Sequence, residues 1–388
     1  MINILFIHQS AELYGSDKTL LLLLKHLDRK KFNPIVILPF DGPLKSALEF
    51  ENIKVYIFPV LKLHRKMFSP KNLFQFFIDI NNGIKMLDKL NKVNQFDLIY
   101  SNTLAVLLGI IYAKKRKIKH IWHVHEIIES PKIFTKLFCQ LLQLKSNTKI
   151  VYNSIATQRF WDINNSLSKK SVVIWNGLEK IKQPITDEEK EKIRTTFFNA
   201  SSNEIVIALV GRISRWKGQL VLLDAFKILS KNNLAIKLVY IGSPPPNQDN
   251  FLFDLKQTIE KNKLTSNVSI IPFQKEISKF WQSIDIAVVP SIEPEPFGLV
   301  AVEAMLANKP VIASNHGGLT EIIINNYNGF LVAPNNDLEL ANAIQLLINY
   351  PTLRIEQGEN GYKRALQEFS VESYVKKFEA FFDNITYL

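Results

Sequence analysis

DIAVVPSIEPEPFGLVAVEAMLANKPVIASN, residues 285 to 315, is the stretch that decides the fold. It reads as a short apolar strand, a polar loop, an apolar helical run and a second apolar strand, the repeating unit of a parallel sheet. Three glutamates, Glu293, Glu295 and Glu303, stand in its loop and helix. Burying an unpaired carboxylate among apolar side chains is costly, so polar partners are expected beside them.

Outward from this stretch the same alternation runs along the chain. Before it come the apolar, β-branched runs INILFIH (2 to 8), NPIVILP (33 to 39), KVYIFPV (54 to 60), FDLIYSN (96 to 102), KHIWHVH (119 to 125), KIVYNS (149 to 154) and SVVIWNG (171 to 177). After a polar break follow EIVIALVG (204 to 211), AIKLVYIG (235 to 242) and NVSIIPF (267 to 273), and past residue 315 GFLVAP (329 to 334). Helical patterns such as TLLLLLKHLDRKKF and QLVLLDAFKILSK separate them, so the expectation is an α/β chain with two doubly wound, Rossmann-like sheets.

A chain of 388 residues exceeds what one core usually organises, which also favours two domains. The polar stretch EKIKQPITDEEKEKIRTTF carries Pro184 and an acidic helix start at Asp187 and Glu188, and reads as their connection. The expected organisation is a domain at 1–180, a linker at 181–200, a second domain at 201–370 and a terminal helix at 371–388. In that helix Tyr374, Phe378, Phe381 and Phe382 fall on one face, which must dock on something.

Composition bounds the class. Hydrophobic residues at 47% and charged residues at 22% are those of an ordinary globular protein and argue against disorder. The single Cys139, in the apolar run KLFCQLLQL, excludes an intramolecular disulfide and reads as helix filler rather than a nucleophile; an unpaired thiol fits a reducing compartment. The longest apolar run, LAVLLGIIYA, has 10 residues and is too short to span a bilayer, and the N-terminus lacks the basic region of a signal peptide. The expectation is a cytoplasmic protein that can sit on the inner face of the cell membrane.

The net charge of +12 is uneven: residues 1 to 180 hold 27 Lys and Arg against 13 Asp and Glu. That excess points to an anionic partner, a membrane surface or nucleic acid. Two stretches, LHRKMFSPKNLFQFF (63 to 77) and ESPKIFTKLFCQLLQLK (129 to 145), mix Lys with Phe and Leu as interfacial helices do; the alternative is a solvated basic face over ordinary core. No nucleic-acid-binding motif is recognisable, so no nucleic-acid partner is expected.

In open α/β sheets ligands bind beyond the carboxyl ends of the strands, so residues just after each strand carry the chemistry. In VGRISRWKGQ, Gly211 permits a tight turn, Arg212 offers a planar fork and Lys217 a point charge before Gly218 and a helix, a pattern suited to a diphosphate. The alternative is a pair of solvated loop charges. In the opening stretch, Pro296 placed in the first helical turn would leave the amides of Phe297, Gly298 and Leu299 for oxygen or anionic groups. Glu303, about one and a half turns on, suits the vicinal hydroxyls of a ribose. Against this stand a surface ion pair for Glu303 and a helix-dipole role for Glu293 and Glu295. Gly317 and Gly318 serve either close approach to a ligand or chain reversal.

In the first half, Gly15 precedes a helix starting near Ser16 or Asp17, without the Gly-x-Gly-x-x-Gly dinucleotide fingerprint. WHVHEI places His123 and His125 on one side of a strand end with Glu126 adjacent, and no third ligand stands at a zinc-site spacing.

Taken together, GRISRWKG, LVYIG, DIAVVPSIEPEPFGLVAVEAMLANKPVIAS, GGLTEII and NGFLV resemble the retaining, nucleotide-sugar-dependent glycosyltransferases of family 4, of the group 1 type, with the GT-B fold of two facing Rossmann-like domains and a cleft between them. The resemblance is strongest from 210 to 332 and extends more weakly over the whole chain. It implies that Arg212 and Lys217 hold the donor diphosphate and that Glu303 holds the nucleotide ribose. Glu295 matches the first glutamate of the family's Glu-x7-Glu pattern, beside the donor sugar, whose hydroxyls meet the amides of Phe297, Gly298 and Leu299. His125 matches a histidine close to the reacting sugar, Gly15 the loop that closes over the phosphates, and Phe273 the contact with the base.

Two departures stand out. Gly15 lies between Tyr14 and Ser16 where the family often pairs glycines, and Gln274 and Lys275 follow Phe273 where a glycine is common.

The resemblance thus names Glu295, His125, Arg212 and Lys217 as catalytic and implies sugar transfer with retention to an acceptor hydroxyl. Positive groups and helix amides would meet the charge on the leaving diphosphate. No aspartate pair of the kind that holds magnesium is evident, so neither metal nor cofactor is expected beside the nucleotide sugar. The implied acceptor is a lipid-linked or growing glycan in bacterial surface polysaccharide synthesis, with the terminal helix packing back on the N-terminal domain. Rival readings are a sugar-nucleotide epimerase of the same fold, which needs no acceptor, and a basic nucleic-acid- or membrane-binding protein.

Overall fold

The computed structural model describes residues 1–61, 70–231 and 235–386, and the chain divides into two compact units, Met1–Leu178 with Val371–Leu388, and Glu179–Ser370. The first unit is built on seven parallel strands: β1 (Ile2–His8), β2 (Phe32–Leu38), β3 (Lys54–Ile57), β4 (Leu98–Asn102), β5 (Lys119–Val124), β6 (Lys149–Tyr152) and β7 (Ser171–Val173). Their order is β3-β2-β1-β4-β5-β6-β7, so the winding reverses between β1 and β4.

Side chains alternate across a strand, and both faces of β1 are buried, which is why its sequence is continuously apolar. Ile4 and Phe6 enter one core with Leu20, Leu23, Leu24 and Leu44, while Leu5 and Ile7 enter the other with Leu87, Leu108 and Trp122. The terminal helix Val371–Thr386 belongs to the first of these cores, where Tyr374, Val375, Phe378, Phe382 and Ile385 are buried and Phe381 is partly so. Burial of each such large side chain contributes about 1.5–3 kcal/mol. Polar contacts hold its middle and its C-terminal end: Glu379 accepts the Asp28 amide at 2.7 Å, and the Lys119 ammonium donates to the Ile385 carbonyl at 2.8 Å.

The helix Lys132–Gln143 turns Phe138 and Leu142 into the core and packs Phe134, Cys139 and Leu141 against it, leaving Ile133 exposed. Most of the apolar content of 129 to 145 is therefore core. Burial pushes the Cys139 thiol above its ordinary pKa, consistent with a filler. Of the other Lys- and Phe-rich stretch, residues 63–69 lie outside the described residues. Among the described residues no helix is long and apolar enough to cross a membrane.

The second unit holds six parallel strands, β8 (Ile205–Val210), β9 (Ile236–Ile241), β10 (Val268–Ile271), β11 (Ile286–Val289), β12 (Val311–Ser314) and β13 (Gly329–Val332), in the order β10-β9-β8-β11-β12-β13. Here the winding reverses between β8 and β11. Within the segment expected as a linker over 181–200, the helix start read at Asp187 and Glu188 opens the helix Asp187–Phe198, which groups with this unit. Thr186 and Glu189 close a capping box at its start, and Ile193 and Phe198 are buried. Its buried Arg194 donates to the Ser283 carbonyl at 3.0 Å and to Asp285 at 2.9 Å. The charged run DEEKEK is the start and solvated face of an amphipathic helix, which by composition alone resembles a connector.

Candidate functional site

The two reversal points are where open α/β sheets bind ligands, and both are furnished with polar groups. In the second unit the loop after β8 runs from Gly211 to Gly218. Gly218, at φ 75°, caps the helix Gln219–Ser230 and lies so close to the chain after β11 that a Cβ would fall 1.9 Å from the Pro290 carbonyl oxygen. The Ile292 amide donates to the Trp216 carbonyl at 2.8 Å, tying the two loops together.

This clamp sets Lys217 against Glu295. The Lys217 ammonium reaches Glu295 Oε1 at 2.6 Å, and the Ser291 hydroxyl donates to the same oxygen at 2.6 Å. Glu295 is 5% exposed, so this is a largely desolvated pair whose partners offset each other's burial. His316 Nε2 lies 2.8 Å from the Ser291 carbonyl, joining the loop after β12 to the same cluster. Gly317, at φ 60°, shows a use of the glycine pair beyond the two readings. A Cβ there would fall 2.4 Å from the Glu295 carbonyl oxygen, which also accepts the Gly318 amide at 2.7 Å. These glycines let two loop backbones touch and so fix the Glu295 backbone.

The helix of the opening stretch starts later than Pro296 would set it. It spans Leu299–Leu306, with Gly298 at φ 113° as its cap, and Pro296 lies in the loop. The Phe297 side chain is buried, with its ring 5.8 Å from that of Phe369. Glu303 sits one turn into the helix, half-buried, and accepts the Trp281 indole N–H at 3.3 Å. Glu293 pairs with Arg215 at the surface. Each glutamate of the opening stretch thus has the polar partner its burial calls for.

Arg212 is exposed on the loop after β8, where its carbonyl accepts the Gln219 side chain at 2.8 Å. Phe273, beyond β10, is 56% exposed, and its amide donates to the Ser243 hydroxyl at 3.0 Å.

In the first unit the strand ends bring together His8, Asn102, His123 and His125. His8 Nε2 is 2.5 Å from the buried carboxylate of Asp17, and its Nδ1 is 2.9 Å from the Asn102 amide nitrogen. His125 Nε2 lies 2.8 Å from Asn102 Oδ1, and the rings of His123 and His125 are 3.8 Å apart between centroids. Tyr100 hydrogen-bonds His123 Nδ1, and the Phe378 ring of the terminal helix packs 5.5 Å away.

Burial, reinforced by the neighbouring His8, pushes His125 down to about 3, with Asp17 opposing only in part. Burial and the two neighbouring histidines hold His123 well below its usual value. Glu126 is pushed up to about 7 by burial, against the opposing hydrogen bonds it accepts from the Leu104 and His125 amides.

Gly15 is the first residue of the helix Gly15–His26 rather than part of a loop. Asp17 at the third position of that helix accepts the Tyr14 amide at 2.9 Å. Among the described residues no group of three or more His, Cys, Asp and Glu side chains could hold a metal ion.

Residues that the sequence reading did not single out complete both clusters: Ser291, Trp281 and His316 in the second unit, and His8, Asn102 and Tyr100 in the first. His8 and Asn102 end β1 and β4, so the strand-end rule, applied to every strand, would have found them.

The fold defines the class: two Rossmann-like units of parallel sheet, as in GT-B proteins. Residues 190–364 match the family described as Glycosyl transferases group 1. An uncharacterized glycosyltransferase of Methanocaldococcus jannaschii is 28% identical, covering 91% of this chain and 90% of that one. The capsular polysaccharide biosynthesis glycosyltransferase CapM of Staphylococcus aureus is 25% identical, covering 92% of this chain and 91% of its own. Among solved structures, Anabaena HepE in complex with UDP and glucose matches with a TM-score of 0.84 at 26% identity, covering 99% of this chain and 100% of HepE.

Proposed function

We propose that this chain is a retaining glycosyltransferase that moves a sugar from a nucleotide-diphosphate sugar to an acceptor hydroxyl on a lipid-linked or growing surface glycan. The observation that carries the donor assignment is the Lys217–Glu295 pair at the point where the second sheet reverses. HepE, its structural neighbour, binds UDP, and CapM acts in capsule synthesis; both support the reading.

In this reading Arg212 and Lys217 take the diphosphate, and the amides of Phe297, Gly298 and Leu299 take oxygens at the start of the helix Leu299–Leu306. These groups stabilise charge as the diphosphate leaves, a contribution that requires no metal. Glu303, aligned by Trp281, accepts the ribose hydroxyls. Glu295, held by Lys217 and Ser291 on Oε1, presents its second oxygen to the sugar. Phe273 packs on the base. His125 is neutral at physiological pH, so it acts on the sugar as a hydrogen-bonding imidazole and not as a cation. The enzyme works in the cytoplasm, at the inner face of the membrane where such acceptors are presented.

The test is a thermal-shift screen against UDP, GDP, ADP, CMP and dTDP and their sugars, because a ligand bound only by the folded state raises the melting temperature. One diphosphate should raise it, and Arg212→Ala should abolish the rise. NMR of the product anomer, with and without EDTA, then tests retention and metal independence. An inverted anomer overturns retention, and turnover of the donor to a new sugar nucleotide without acceptor favours the epimerase.

A further inference from the structure

An open depression ringed by lysines, outside both strand-end clusters, lies at the opposite end of the first sheet's strands. Its volume is about 540 Å³, and its walls include Lys114, Lys117, Lys119, Lys145, Ser146 and Thr148. No carboxylate is among its lining residues. The walls come from the end of the helix Leu108–Arg116, the beginning of β5 and the turn before β6, all at the amino ends of these strands. His125 lies just beyond the carboxyl end of β5, so along the strand the depression is about 20 Å from it. The catalytic reading does not use this site.

Basic residues in a last helical turn have an ordinary explanation, since they offset the helix dipole. That accounts for Lys114 and for Lys117, the cap of the same helix, but not for the convergence on them of Lys119 and Lys145 from two other segments. Lys119 is already engaged by the Ile385 carbonyl. Among the described residues, Lys114, Lys117 and Lys145 form no ion pair with a carboxylate. Lys170, whose ammonium donates to the Leu144 carbonyl at 3.0 Å, is held below its usual pKa by burial and, to a lesser degree, by the nearby Lys145. Ser146 adds a hydroxyl that finds no hydrogen-bond partner. The volume falls in the range of small-ligand sites.

We propose that this depression is a binding site for a phosphate-bearing anion, held by Lys114, Lys117 and Lys145. The shared chemistry is a phosphate with more than one negative charge, supplied either by a lipid headgroup or by a free oligophosphate. It gives the basic charge of the first unit a defined place, independent of the donor assignment.

The experiment compares the full chain with Lys117→Gln/Lys145→Gln and with a charge-matched control in the second unit, Lys261→Gln/Lys263→Gln. Tripolyphosphate binding is measured by calorimetry, and vesicle binding by sedimentation with phosphatidylcholine alone or with added phosphatidic acid. The parent and the control should bind at least one phosphate probe, more weakly as salt rises, and Lys117→Gln/Lys145→Gln should bind about tenfold or more weakly at an unchanged melting temperature. Binding of the soluble anion identifies a free phosphate, and binding only of phosphatidic acid vesicles identifies a headgroup. Binding of neither probe, equal binding by Lys117→Gln/Lys145→Gln, or an equal loss in the control overturns the proposal.

Discussion

The two units place polar side chains at the same topological position and solve the electrostatics in opposite ways. In the second, a cation and an anion, Lys217 and Glu295, are carried by loops and paired at 2.6 Å. In the first, His123 and His125 are kept neutral by burial, and Asp17 is matched to His8 at the start of a helix. A fixed charge pair can exchange partners when a polyanion arrives, whereas neutral imidazoles such as His123 and His125 can only offer hydrogen bonds. The fold sets where a ligand goes; the side chains of each unit set what it can be.

The strongest break in this comparison is Phe378→Ala. Phe378 is fully buried, packs against His123, Tyr100 and Phe382, and joins the terminal helix to the histidine nest. Removing the ring should destabilise the first unit by about 3–5 kcal/mol, read by denaturant unfolding. The nucleotide-induced thermal shift should survive, because the charge pair belongs to the other unit. Loss of that shift together with the stability would show that the two clusters are not independent.

Next is Lys217→Ala, which leaves Glu295 as a buried, unpaired carboxylate. Turnover should fall about 10²–10³-fold, with a loss of stability that Lys217→Ala/Glu295→Gln partly restores. If the single and double variants unfold alike, the pair is not coupled and the contrast with the first unit weakens.

Much of this was legible in sequence. Every strand of both sheets appears as an apolar run, most clearly the interior ones, because parallel strands covered on both faces have no polar side to interrupt them. Glu295, Glu303 and Lys217 were legible because charge in apolar surroundings or after a strand is conspicuous. Their partners were not: Ser291 and Trp281 are of residue types common in loops and cores, and only the fold brings Trp281 to Glu303 across 22 positions. The start of the helix at Leu299 was hidden because Pro296 suits a first turn, while Gly298 at φ 113° makes the actual cap. In 181–200 the acidic start of the helix was legible, but not that it packs into the second unit, because a solvated helix face and a linker share one composition.

Acid distinguishes the units at an intermediate size of effect. Burial pushes His120 down to about 4, and His123 and His125 are shifted the same way. Unfolded imidazoles take up protons below about pH 6.5 while the folded ones do not, so stability falls as pH drops through that value. His120 alone costs about 2 kcal/mol at pH 5. Glu126 has the opposite sign: its folded pKa of about 7 gives stability that is complete below the unfolded value and is lost as pH rises through 7. Three losses against one gain leave the first unit weaker at pH 5 than at pH 8, as amide exchange of β4 and β5 should show. Glu126→Gln removes the gain and should deepen that loss by about 2 kcal/mol. An unchanged pH dependence in this variant would mean that Glu126 is ionised in the folded protein throughout.

The smallest effect tests how the charged unit is aligned. The Trp281 indole donates to Glu303 at 3.3 Å, a long hydrogen bond to an ionisable oxygen. Trp281→Phe keeps an aromatic ring in the core and removes the donor, which is worth about 1 kcal/mol. Because Glu303 is assigned to the ribose, which does not react, the loss should fall on binding: KM for the donor should rise about fivefold with kcat unchanged. A fall in kcat at constant KM would place Glu303 at the reacting sugar instead, and would shift the ribose contact to another group at the same reversal of the second sheet.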